Sequence, residues 1–388
     1  MEKPLAGLRV LDLSRVLAGP FAGRMLADLG ADVVKIEPPE GDITRGWGAI
    51  RHGLGGYYVQ QNAGKRALCV DLAAPGGADL VGRLATRADA LIENFRPHVM
   101  AQHGLGWERL RALNPRLVML SISGFGAASP EAHRPAYAPV IHAESGAVAR
   151  QTELDRAPRM TDFVLSSADT NAGLHGLVAL LAALLLRDRT GVGQHIDLAM
   201  LDAMLATDDY AHFALDEVEI TRGGGEVWDA PGGPIMVTGD FRNLWRVLTK
   251  KLGVVDPTSE GALVAEKIRA RRAAAAKFYA GFPTRAALAE ALDGAAIPWG
   301  EVRSVAQAFA SPSAVARGVV ASIDDRAGGM RRVAQSPYRF SNARSGIAGA
   351  ASYRGEHNAA VLADWLGASA EEISKLEAAG VLLAEARA

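Results

Sequence analysis

Asp169 lies in Ser166-Ser167-Ala168-Asp169-Thr170-Asn171-Ala172-Gly173-Leu174, directly ahead of a long apolar stretch. A carboxylate there can cap the first turn of a helix, where backbone N–H groups lack intrahelical partners and negative charge is favoured. The same group can instead attack an electrophilic carbonyl and hold it covalently. Other catalytic arrangements fail on spacing. Ser166 and Ser167 sit outside any G-x-S-x-G turn, so a serine nucleophile lacks its elbow. No pair among the histidines shows H-E-x-x-H spacing, and Cys69 is the only cysteine, so no metal and no intrachain disulfide are expected. Cys69 itself reads as a buried strand residue. His175 falls inside the apolar stretch and reads as a hydrogen-bonded core residue rather than a base.

The loop Ala18-Gly19-Pro20-Phe21-Ala22-Gly23 sits where a dinucleotide fold would carry G-x-G-x-x-G, but Pro20 and the glycine spacing break that fingerprint. Glu37 imitates a ribose-binding acid, and a nicotinamide-dependent oxidoreductase rests on that residue alone. A helix beginning at Pro20 would still turn free N–H groups toward phosphates or carboxylates. Lys35, Arg45, Lys65, Arg66 and Arg96 fall near strand ends, either as phosphate partners or as ordinary surface charge.

The elements that must position these groups alternate. Strands at 8–13, 32–37, 67–71, 89–93 and 117–122 are separated by amphipathic helices, which implies an α/β fold: a Rossmann-like, doubly wound, mostly parallel sheet with ligands beyond the carboxyl ends of its strands. In the stretch 172–186, Leu174, Leu177, Val178, Leu181 and Leu185 share one helical stripe, widened by Leu180 and Leu184, so that helix is expected to be deeply buried. After about Glu217 the pattern changes, with glycines at 223, 224 and 225 and then an alanine- and arginine-rich helical stretch. A smaller α+β domain begins there. Thr284 and Ser369 read as helix caps and Gly380 as a helix stop.

A chain of 388 residues, 49% hydrophobic, exceeds the usual size of one domain. Its net charge of −1 argues against a nucleic-acid partner. The N-terminus lacks a signal peptide's pattern, and the longest apolar run, Leu177 to Leu186, is ten residues, so a cytoplasmic protein without a membrane partner is expected.

Several separated segments together resemble one family, the class III CoA-transferases of the CaiB/BaiF type, which also contain carnitine CoA-transferases and 2-methylacyl-CoA racemases. They are Leu5 to Pro20, Gly30 to Pro39 with Gly41-Asp42 and Thr44-Arg45, Asn62 with Lys65-Arg66, Glu93-Asn94-Phe95-Arg96-Pro97, Ser123-Gly124-Phe125-Gly126, Arg187 to Asp197, Ile297-Pro298-Trp299-Gly300 and Gly355-Glu356-His357-Asn358. The resemblance implies that Asp169 is a nucleophile that attacks an acyl-CoA thioester and passes through a mixed anhydride and an aspartyl-CoA thioester. Coenzyme A would enter as part of the substrate, with a carboxylic acid as partner and no tightly bound cofactor. By resemblance Ala18, Asn94, Phe95 and Arg96 contact CoA, Lys35 or Arg45 meet its phosphates, and Leu17 and Tyr137 belong to the substrate pocket.

Gly223, Gly224 and Gly225 match the family's closing lid or form a simple hinge. Members are intertwined homodimers, which implies a large domain at 1–215, a small domain with linkers at 216–324 and a segment at 325–388 returning to the large domain.

The racemase branch pairs its aspartate with a histidine. Tyr137 stands at that place, with His133 and His142 at the wrong spacing, and a phenol holds its proton at neutral pH. Transfer is therefore favoured over 2-methylacyl-CoA racemisation. Leu17 replaces the glutamine of oxalate-type members, Glu301 replaces a proline of the later signature, and the segment between Leu215 and Gly233 is short. These departures leave a noncatalytic acyl-CoA-binding relative as a third reading.

Overall fold

Apolar residues at both odd and even positions of a strand bury both of its faces, because successive side chains point to opposite sides. The computed structural model, which describes residues 1–155, 157–220 and 225–385, follows this rule in the inner strands of its main sheet, while the edge strand at 195–199 alternates with exposed His195 and Asp197. The chain runs through β1 (Arg9–Asp12), α1 (Ala18–Asp28), β2 (Asp32–Glu37), the hairpin β3 (Ile50–Arg51) and β4 (Leu54–Gly55), α2 (Gly56–Asn62), β5 (Arg66–Cys69) and α3 (Gly77–Ala85). It continues through β6 (Ala90–Glu93), α4 (Val99–Gln102), α5 (Trp107–Leu113), β7 (Val118–Ser123), α6 (Ala138–Glu144), α7 (Ala147–Asp155), α8 (Ser167–Thr190), β8 (His195–Ala199) and α9 (Met200–Ala206).

Six of these strands form one parallel sheet in the order β5-β2-β1-β6-β7-β8. Val10, Val33, Ile92 and Leu120 face a core shared with α1 and α8, while Leu11, Val34, Leu91 and Met119 face a second core shared with α3 and α5. The strand order reverses between β1 and β6. Loops leaving the two strands at such a switch point diverge and open a crevice for ligands.

The chain divides into two units, 1–211 with 317–388, and 212–316. After α10 (Ala211–Leu215), the second unit carries the antiparallel strands β9 (Glu226–Trp228), β10 (Ile235–Val237) and, later, β11 (Trp299–Glu301). Their core, including Trp228, Trp245, Tyr279 and Leu288, is shared with α11 (Phe241–Leu252), α12 (Val264–Ala280) and α13 (Arg285–Gly294), the last capped by Thr284. The short helices α14 (Val305–Phe309) and α15 (Pro312–Ala316) end the unit.

The second unit therefore stops at 316 rather than 324. The reason is β12 (Val320–Asp324), which pairs with β13 (Met330–Ala334) and packs Ile323 and Val333 with Tyr58 and Val59 of the first unit. The C-terminal helices α16 (Asn358–Leu366) and α17 (Ala370–Ala378) complete the second face of the main sheet, with Val361, Leu362 and Trp365 in its core. The Asp71 N–H donates to the Val381 carbonyl at 3.0 Å.

The expected stripe on α8 is only partly buried. The face turned inward carries Ala172, Gly173, Gly176, Leu177, Leu180 and Leu184, whereas Val178 and Leu185 are exposed at 66% and 69%. Small residues win the inward face because α8 must lie close to α1. A Cβ on Gly173 would come within 2.7 Å of the Ala18 carbonyl oxygen. By length and composition alone this 24-residue helix could cross a bilayer, which the ten-residue apolar run did not suggest, yet its inward face is built into the core.

Beneath the crevice lies a layer of buried ion pairs. Lys35 Nζ meets Asp42 Oδ2 at 3.0 Å, and Lys65 Nζ meets Asp12 Oδ2 at 2.7 Å, all four side chains at 1% exposure or less. Arg45 forks onto Glu37, with Nε–Oε1 at 2.9 Å. Removing one partner of a buried pair leaves an uncompensated charge, so Lys35→Met should destabilise the protein by about 3–5 kcal/mol. The shift of the urea midpoint measures this, and a loss under 1 kcal/mol would show that Asp42 does not depend on Lys35.

Candidate active site

Three helix N-termini converge on Asp169. The residue occupies the third position of α8, whose N-cap, Ser166, makes no side-chain capping bond. Its carboxylate does not cap its own helix. The backbone amides of Ala18, first residue of α1, and Ala138, first residue of α6, face it instead and favour its ionised form. Both amides are free because first-turn N–H groups have no intrahelical acceptor. α1 starts two residues earlier than Pro20, which then sits in the first turn where its missing N–H costs nothing. Pro139 plays the same part in α6. The i,i+4 spacing of Asp169 and Gly173 puts both on the face toward α1, so the glycine that permits close approach also brings the Ala18 amide to the carboxylate.

Burial pushes the Asp169 carboxyl up to about 6, against the two amides, which favour the ionised form. Asp169 is 7% exposed. Burial also pushes the Tyr57 phenol up to about 12, aided by the negative charge of Asp169. His142 lies behind the carboxylate. Its Nε2 accepts the Ala168 N–H at 3.1 Å, so that nitrogen carries no proton and Nδ1–H is left to donate to Asp162 at 2.8 Å. Neither Tyr57 nor His142 was singled out for this place from the sequence, since neither lies near Asp169 in the chain.

Two cavities share part of their lining, and Asp169 belongs to the smaller. The wider, about 1000 Å³, is lined by the loops following β1, β2, β5 and β6. The smaller, about 230 Å³, contains Asp169. Asn94, Phe95, Arg96 and Tyr137 line both, and Ala18 lines the smaller. Expectation and structure part at three residues. Lys35 and Arg45 are not at either cavity wall: a buried cation at a strand end pairs with the nearest carboxylate, here Asp42 and Glu37, and neither is free for a phosphate. Lys65 and Arg66 are likewise held, by Asp12 and Asp32.

Leu17 turns into the protein at 6% exposure, and its neighbour Val16 lines the smaller cavity instead. Gly223 and Gly224 lie outside the described residues. Gly225 precedes β9 and lies against Met236, where a side chain would collide. Half-buried His175 takes no part in either wall.

The crevice is braced across the switch point. The Arg15 N–H donates to Asn94 Oδ1 at 2.7 Å and Asn94 Nδ2 donates back to the Arg15 carbonyl at 2.8 Å. Glu93, which burial pushes up to about 7, accepts the Phe95 N–H at 2.8 Å. Between Arg15 and Ala18, Val16 adopts φ 68°, a left-handed conformation costly for a β-branched residue. The Val16 N–H reaches Asp42 at 3.3 Å, which ties this strained turn to the buried Lys35–Asp42 pair.

The profile of CoA-transferase family III matches residues 5–358. The chain belongs to this family. It is 35% identical to the succinate–glutarate CoA-transferase of Agrobacterium fabrum, covering 94% of this chain and 96% of that one. It is 31% identical to the formyl-CoA:oxalate CoA-transferase of Streptomyces avermitilis, covering 98% of this chain and 100% of the relative. A CaiB/BaiF family protein from Brucella suis shares its fold with a TM-score of 0.80 and 31% identity, over 94% of this chain and all of that one. The chain is a CoA-transferase, and acyl-CoA thioesters are the substrates of its class.

A carboxylate that ionises near 6 can serve as a nucleophile or base only once ionised, so turnover that depends on Asp169 should show log kcat/KM falling with unit slope below about pH 6. Stability carries the opposite signature. The unfolded carboxyl ionises near 3.8 and the folded one near 6, so stability falls as pH rises between these values and the full cost stands above them. Asp169→Asn should abolish turnover while raising stability at pH 7.5 by about 2–3 kcal/mol, a gain that vanishes below about pH 4. Melting curves at the two pH values test this, and a destabilised variant at pH 7.5 would contradict it.

Proposed function

We propose that Asp169 carries CoA transfer between carboxylic acids as a covalent nucleophile. The observation that supports this is a buried carboxylate faced by two amides from other helices, on the wall of a small cavity suited to an acyl group that shares lining residues with one large enough for CoA. The carboxylate attacks the acyl-CoA carbonyl, the C–S bond breaks, and a mixed anhydride forms with release of CoA thiolate. The thiolate then attacks the aspartyl carbonyl. This expels the first acid as its carboxylate and leaves aspartyl-CoA thioester.

A second carboxylate attacks that thioester, forming a new mixed anhydride, and the thiolate attacks the incoming acyl carbon to give product and free Asp169. No water is consumed, so the thioester's free energy passes through each intermediate. The Ala18 and Ala138 amides, already directed at the carboxylate, would stabilise the oxyanion that develops on the aspartyl carbon. Named relatives act on succinate, glutarate and oxalate, and we read this chain as acting on acids of that kind.

Racemisation gains no support from the site. It needs a base across the substrate from Asp169, whereas His142 lies behind it and His133 lines only the wider cavity. The exposed side of α8, with Val178 and Leu185, supports a homodimer as the working form. Sedimentation should give twice the chain mass, and a monomer at micromolar concentration would contradict this.

Acyl-CoA with hydroxylamine should convert Asp169 to its hydroxamate, detected on its peptide by mass spectrometry. Transfer without that adduct, or transfer surviving in Asp169→Ala, would refute the mechanism. The amide is testable separately through Ala138→Pro. Tyr137 is extended (φ −128°, ψ 172°), as a residue before proline should be, and the first helical position accepts proline. The variant deletes one donor and should lower kcat by about 10²–10³-fold.

A further inference from the structure

The small cavity carries more positive charge than its nucleophile can balance. Asp169 is the only carboxylate on its wall among the described residues, against three guanidinium groups, those of Arg15, Arg96 and Arg134. Arg134 is already neutralised by Glu131 and Glu144. Arg15 and Arg96 have no carboxylate partner among the described residues. A transferred carboxylate loses its own charge on becoming a thioester, so it cannot match a fixed cation throughout the cycle. A second carboxylate on the same acid can.

We propose that Arg15 binds the carboxylate that is not transferred, so that the acids exchanged are dicarboxylic. This rests on the reading of Asp169 as the nucleophile. Arg15 is the better placed of the two free cations because its position is set before substrate arrives. Its backbone is held in both directions by Asn94, its guanidinium lies 5.3 Å from the centre of the Phe95 ring, and the strained turn at Val16 joins it to Ala18, whose amide meets Asp169. Such fixing reduces the ordering cost of a charge-assisted, two-pronged bond to a carboxylate. Arg96 has no comparable brace. Both arginines line the wider space, where the CoA phosphates would lie, but of the two only Arg96 also borders a third cavity of about 160 Å³, beside Glu93, His98 and His195.

Arg15→Gln separates the two anions. KM for glutarate and for succinyl-CoA should rise together by roughly 10- to 100-fold, and the preference for glutarate over pentanoate should disappear. Calorimetric affinity for free CoA should stay within about twofold, because only the acyl side loses a contact. Arg15→Lys should restore part of the glutarate affinity, and Arg96→Gln should weaken free CoA instead. The proposal is overturned if Arg15→Gln weakens free CoA and leaves the ratio of glutarate to pentanoate unchanged, or if the parent protein binds pentanoate as well as glutarate. Absence of the aspartyl hydroxamate would defeat only the nucleophile reading, since glutarate titrated calorimetrically into parent and Arg15→Gln proteins reads Arg15 without turnover.

Discussion

An ionised carboxylate removed from water and held by backbone amides is the constraint on which this architecture turns. Burial raises the Asp169 carboxyl to about 6, and the amides of Ala18 and Ala138 keep it from rising further. At neutral pH the group is therefore charged yet poorly solvated, the state in which an oxygen nucleophile is most willing to give up its charge to a carbonyl carbon. Producing that state requires α1 and α6 to begin at one point, and it requires α8 to cross α1 closely enough that residue 173 must be glycine.

The sheet supplies the second half of the arrangement. Strand order reverses between β1 and β6, the two loops part, and Arg15 and Asn94 bridge the gap with a reciprocal pair of hydrogen bonds. Below them the Lys35–Asp42 and Lys65–Asp12 pairs form a polar but fully satisfied floor. A buried charge pair of this kind is weak as a source of stability but strict about geometry, since each charge tolerates only its partner. The strained Val16 turn hangs from that floor through Asp42, so three residues of chain link the ion pairs to the Ala18 amide that faces Asp169.

Much of this was legible in the sequence, and the misses share a cause. The main-sheet strands announced themselves because fully apolar segments such as Val10-Leu11 and Leu91-Ile92 suit only strands covered on both sides. Asp169 and the run Asn94-Phe95-Arg96 were recognisable from motifs that place them at helix and strand ends. Lys35 and Arg45 were misassigned because a cation at a strand end has the same neighbours in sequence whether it faces the crevice or the core, and only Asp42 and Glu37 in space decide. Leu17 and Val16 exchanged places for a related reason, since one left-handed residue redirects the side chains around it. The outward face of α8 was unreadable because leucine, valine and alanine occur all round that helix. Tyr57 and His142 join Asp169 through tertiary contact alone.

These relations leave one question at the centre, whether the carboxylate that burial and the amides have prepared forms bonds or only steers charge. Oxygen tracing answers it most directly. In the double exchange, the acceptor acid leaves one of its oxygens on the aspartyl carbon when thiolate attacks the incoming acyl carbon. A single turnover with acceptor acid labelled in oxygen-18 should therefore place one heavy oxygen in the Asp169 carboxylate, found on its peptide by mass spectrometry. Formation of the new acyl-CoA with no heavy oxygen in Asp169 would contradict the account, because direct transfer between bound substrates leaves the aspartate oxygens untouched.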